Sequence, residues 1–197
     1  MNRQITGTLP AGYQAIRTFD MAKDKQLNMV IQFLFLFITG VLIGFALWVG
    51  LPLSTDLNPV LSFLVTVLLV LIYMALHELT HALFIKIFSG SLPSFRIRFP
   101  FLSVGSEAVF KRSHFIVIAL APVLLWGALL IIMLFIIPER SFLSIFIVVI
   151  VNFAGSGGDY VQAYIAFNSP AYTLFQDNGK ETTLFVPAEN EKDPGSN

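Results

Sequence analysis

Three side chains within one helical turn could do chemistry together: His77-Glu78-Leu79-Thr80-His81. Residues four apart share a helix face, so both imidazoles can address one metal ion. Glu78 lies beside them, placed to take a proton from an attacking water. Two histidines at this spacing with an adjacent glutamate are an arrangement in which zinc and a general base hydrolyse a bond. The chain has only three histidines, and two of them are here.

A catalytic zinc usually takes three protein ligands and keeps one open position. Asp159, Glu107 and His114 are the candidates for the third. Depth along the helices separates them. His81 and His77 lie roughly 13 Å and 20 Å from the helix end near Gly90, at 1.5 Å per residue. Asp159 lies roughly 14–16 Å from the end of its own apolar stretch near Asn168–Pro170, at the same level. His114 starts a helix at the interface, and Glu107 sits in a loop that only a re-entrant path would carry inward. Asp159 is the expected third ligand, with Glu107 and His114 as alternatives. It follows three glycines in Asn152-Phe153-Ala154-Gly155-Ser156-Gly157-Gly158-Asp159. Glycines let helix backbones approach closely or let a helix break. Asn152, two turns before Asp159, could hold substrate or stabilise an oxyanion, or equally make a helix–helix hydrogen bond. Pro122 frees a backbone carbonyl within the third apolar stretch and can kink it.

The elements that must position these residues are membrane helices. Of 197 residues, 56% are hydrophobic and 12% charged, and the mean hydropathy is +0.78. Soluble domains carry about 25% charged residues. The apolar stretches run from about Met29 to Leu51, Pro59 to Phe88, His114 to Ile137 and Ser141 to Phe167. Each reaches the roughly 20 residues that a span requires. The expected fold is an all-α membrane protein of about four transmembrane helices. It comprises a cytosolic N-terminal segment (1–28), a membrane-embedded domain (29–170) and a polar, mobile C-terminal tail (171–197).

Arg3, Arg17, Lys23 and Lys25 precede the first stretch, and Arg96, Arg98, Lys111 and Arg112 follow the second. The short connections on the other side carry only Arg140. Both termini and the 89–113 loop are therefore expected in the cytosol. Phe95-Arg96-Ile97-Arg98-Phe99 alternates with a period of two up to Pro100, and a second run goes from Phe101 to Phe110. This reads as a small β-hairpin at the cytosolic face or as an amphipathic interfacial segment. Gly40 and Gly44 form a small-xxx-small pair, read first as packing within the monomer and second as a homodimer face. The first apolar run is too long for a cleavable signal. The absence of cysteine excludes disulfides and thiolate metal sites. Zero net charge without a basic patch gives no sign of a nucleic-acid partner.

His77-Glu78-Leu79-Thr80-His81 in a membrane helix, then a basic loop, Arg112-Ser113-His114-Phe115, Leu120-Ala121-Pro122 and Gly157-Gly158-Asp159 together resemble the bacterial zincin peptidases of the site-2 protease type. This small family was first catalogued as a domain of unknown function, and the resemblance covers roughly residues 60–170. It implies intramembrane proteolysis in a bacterial cell membrane, acting on a membrane protein or peptide substrate. It also implies Zn²⁺ on His77, His81 and Asp159, Glu78 as the base, and a membrane-associated β-sheet that holds the substrate as an added strand. The chain departs from the better-studied members by carrying Gly-Gly-Asp-Tyr where they have Asn-Pro-Asp-Gly or Leu-Asp-Gly. A non-catalytic metal-binding scaffold is the competing expectation, although such a protein has no need of Glu78. A metal transporter would want polar groups across the bilayer, and Val60–Leu76 offers almost none.

Overall fold

The computed structural model describes residues 8–55, 58–98 and 101–188. Arg3, Phe99, Pro100 and the last part of the polar tail, 189–197, lie outside them. Helix α1 spans Lys25–Val49, α2 Pro59–Ser89, α3 Arg112–Leu134, α4 Glu139–Gly155 and α5 Gly157–Phe167. Local chemistry sets the ends. The Asp24 carboxylate accepts from the Gln26 and Leu27 amides at the start of α1, and Asn58 does the same for Val60 and Leu61, with Pro59 opening α2. Gly50 and Gly90 close these helices at φ 73° and 69°, a left-handed conformation that suits glycine.

Among the described residues, four helical segments are long and apolar enough to cross a membrane, with α4 and α5 together making the fourth. This is a membrane protein. Its outer helices are the least enclosed: Leu36 and Trp48 on α1 and Phe63 on α2 are exposed. The most apolar windows of α3 and α4–α5 are 44% and 56% buried, against 6% for α1, so α3 and α4 form the centre of the bundle. Helix α3 packs on α2, α4 and α5, and α1 packs on α4 and α5.

The fourth segment is not one continuous helix. It is interrupted at Ser156, inside the glycine run. The Ser156 hydroxyl donates to the Asn152 carbonyl and the Tyr160 hydroxyl to the Phe153 carbonyl, capping the last turn of α4. Gly157 also permits close approach, because a Cβ there would lie 3.1 Å from Ile31 Cγ2 on α1.

One end of the bundle carries β structure. Strands β2 (Ser94–Arg98) and β3 (Phe101–Gly105) form the antiparallel hairpin that the period-two pattern suggested. The C-terminal segment differs from expectation. Leu174–Asp177 (β5) and Thr182–Pro187 (β6) are strands, joined by β1 (Tyr13–Phe19) and the short β4 (Phe110–Lys111) in an antiparallel sheet of order β1-β6-β5-β4. The polar-tail reading missed that Leu184 and Phe185 are buried, where they anchor β6 against the rest of the fold. Phe110, Phe115, Ile118, Phe175 and Leu184 form a core that seats this sheet on α2, α3 and α5.

Intramonomer packing of Gly40 and Gly44 is not observed. No atom of the described residues lies within 4 Å of a Cβ built at either, and both face outward from α1. The pattern marks a smooth helix face without saying what covers it.

Candidate metal centre

His77 and His81 point from α2 towards α5, as the four-residue spacing requires. Asp159 stands in the first turn of α5, immediately after the interruption. Its Oδ2 is 3.2 Å from His77 Nε2, and its Oδ1 is 3.4 Å from His81 Nε2. One ligand atom from each of the three residues lies within 4.8 Å of the others. Their side chains are only 12%, 13% and 18% exposed, so the cluster is enclosed but reachable.

The far side of each imidazole is also held. His81 Nδ1 is 2.9 Å from the Ile118 carbonyl oxygen. Ile118 precedes Pro122 by four residues, and proline has no N–H to give that carbonyl its helical hydrogen bond. The carbonyl freed by Pro122 is therefore the one that His81 uses. His77 Nδ1 is 2.9 Å from the Tyr73 hydroxyl, one turn earlier on α2. Outer hydrogen bonds of this kind orient metal-binding histidines and raise their basicity.

The alternative third ligands lie elsewhere. The Glu107 carboxylate accepts from Gln176 at the surface. His114 stacks on Phe88 with ring centroids 4.4 Å apart, and its Nδ1 has no hydrogen-bond partner among the described residues. Asn152 does not reach the open site. It is 0% exposed, accepts from the Tyr73 hydroxyl and donates to the Val123 carbonyl, which is the helix–helix alternative to the oxyanion role.

A chamber of about 680 Å³ opens above the cluster, between the helices and the sheet. Glu78, His81 and Asp159 are among the residues that line it. Ser103 and Val104 of β3 form one wall, and the Val104 backbone amide is directed at the Glu78 carboxylate. Asp177 and Gly179, at the β5–β6 turn, form part of the roof. Asp177 accepts from the Gly179 amide, from Thr182 and, at 2.6 Å, from Gln162 of α5, tying the roof to the helix that carries Asp159. Burial pushes the Asp177 carboxyl above the usual carboxylate range, and these hydrogen bonds oppose the shift. No sequence pattern marked Asp177. Tyr73 could have been noticed as the polar residue one turn before His77.

Residues 70–174, more than half of the chain, match the model of a family described as "Putative zincin peptidase". The chain belongs to that family. No curated protein and no solved structure matches it. Zincins use zinc, and the donor set here fits that ion: two imidazole nitrogens and a carboxylate oxygen converge, which zinc accepts in tetrahedral sites. With both Nδ1 atoms engaged elsewhere, both Nε2 atoms are left for the metal.

Proposed function

We propose that this chain is an intramembrane zinc peptidase of the site-2 protease type, hydrolysing peptide bonds of membrane-associated substrates. The observation that carries the proposal is Glu78, beside the His77–His81–Asp159 cluster and lining a chamber that β3 residues also line. Bound zinc would supply Lewis acidity to a water and to the peptide carbonyl. His77, His81 and Asp159 would hold that ion. Glu78 takes the proton of the attacking water and returns it to the leaving amine.

A membrane helix hides its peptide bonds in its own hydrogen bonds, so the substrate must unwind locally to be cut. In this reading an extended segment pairs with the hairpin by strand addition, which would bring its backbone to the chamber beside Glu78. Mapping new N-termini of membrane proteins in cells that make the protein tests this reading. Cuts are expected within the third of the substrate span nearest the sheet-bearing face. Cuts confined to soluble loops, or none, would contradict it.

The basic residues around the sheet-bearing end support a cytosolic placement of both termini and the hairpin, as the positive-inside rule requires. The chain has no cysteine, so single cysteines can report topology. Cysteine at Ser103 should react with an impermeant reagent only from the cytosolic side, and cysteine at Ser54 only from the other. Labelling of both from one side would overturn the orientation.

A further inference from the structure

We propose that Tyr73 and Asn152 act as one positioning relay that fixes the tautomer of His77, turning its Nε2 lone pair towards the metal. This rests on the zinc-peptidase reading of the site.

The direction of the relay follows from what each atom can do. The Val123 carbonyl can only accept, so the Asn152 group 3.2 Å from it is the amide NH₂. That fixes the amide orientation and leaves Asn152 Oδ1, an acceptor, facing the Tyr73 hydroxyl at 2.9 Å. The Tyr73 hydrogen therefore goes to Asn152. Its oxygen can then only accept along the 2.9 Å contact with His77 Nδ1, which must carry the imidazole hydrogen. In the neutral ring that a metal requires, His77 Nε2 then carries the lone pair; it lies 3.2 Å from Asp159 Oδ2.

The chain of bonds runs from α3 through α4 and α2 to the metal side of the ring. Asn152 has 0% exposure and Tyr73 6%, so no water competes for these groups. Asn152 sits too deep to touch substrate. Its effect reaches the reaction only through Tyr73 and His77.

Loss of such an outer hydrogen bond typically weakens metal binding about 10–100-fold. The experiment titrates Zn²⁺ into purified protein against a competing chelator. The Tyr73→Phe variant keeps the ring and removes only the hydroxyl. Asn152→Leu keeps the γ-branched shape and removes the amide. Each is expected to raise the zinc dissociation constant about 10–100-fold. The double variant should be no weaker than the worse single one, because the groups act in series.

Thr66→Val is the control for a merely structural bond. Thr66 and Ser144 join the same two helices, α2 and α4, at 2.8 Å, eleven residues before His77. Its zinc affinity should match wild type. In ¹⁵N-histidine-labelled, zinc-loaded protein, the His77 Nδ1–H proton should be shielded from exchange in wild type and in Thr66→Val. It should exchange rapidly in Tyr73→Phe. Wild-type zinc binding with unchanged affinity and unchanged exchange in Tyr73→Phe would overturn the relay alone. Failure of wild type to bind zinc would overturn the zinc reading and the relay with it.

Discussion

Glu78→Gln protein is expected to keep its zinc and to lose turnover. The carboxylate does not belong to the His77–His81–Asp159 cluster, and glutamine fills the same space. The amide cannot accept the proton of the attacking water. General acid–base groups contribute about 10²–10⁴-fold, and the loss should fall in or above that range. In barrier terms this is about 2.7–5.4 kcal/mol. The loss should appear in kcat, with substrate binding largely kept, because the β3 wall is untouched. Metal analysis and single-turnover cleavage on the same preparation check both halves. Full activity in Glu78→Gln would remove Glu78 from the base role. Zinc loss in that variant would make it a structural support instead.

Replacing a ligand should have the opposite signature, with metal and activity lost together. Asp159→Ala, His77→Ala and His81→Ala should each weaken zinc by more than the roughly 10–100-fold assigned to outer hydrogen bonds. Asp159→Ala is the most informative, because α5 is positioned independently of that carboxylate. Gly157 packs on Ile31, Tyr160 bonds the Phe153 carbonyl, and Gln162 bonds Asp177. The variant should therefore fold. Zinc at about 100 times its dissociation constant stabilises a protein by roughly 2.7 kcal/mol if it binds only the native state. Wild type should show a zinc-dependent rise in melting temperature, and Asp159→Ala should show almost none under the same conditions. An equal rise in both would exclude Asp159 as the ligand.

The parts of the site that were legible in the sequence depend on local geometry or simple lengths. The His77–His81 pair needed only the helical repeat. Asp159 needed the rise per residue and the common direction of two spans, and the structure brings it to 3.2 Å and 3.4 Å from the two imidazoles. The hairpin announced itself by the alternation in Phe95–Phe99. The four-stranded sheet did not, because Tyr13 pairs with Pro187 from the opposite end of the chain. Residues Gln14 to Thr18 are all exposed, and Leu184 and Phe185 are buried side by side, so neither strand shows clean alternation. Asn152 was expected two turns before Asp159 on one helix face, but the interruption at Ser156 puts the two on different helices. Its role is set by Tyr73 and Val123, partners on two other helices. Pro122 signalled a free carbonyl in Ile118; only the tertiary fold says that His81 takes it.

The most direct test of the metal centre is zinc X-ray absorption on purified protein, wild type beside Asp159→Ala, with metal content measured on the same samples. The expected result is about one zinc per wild-type chain, with two imidazole nitrogens and oxygen ligands at about 2.0–2.2 Å, the usual range for such sites. The variant should hold little zinc. A wild-type chain without zinc, a zinc carrying one imidazole, or an identical spectrum and content in the variant would contradict a centre built by His77, His81 and Asp159.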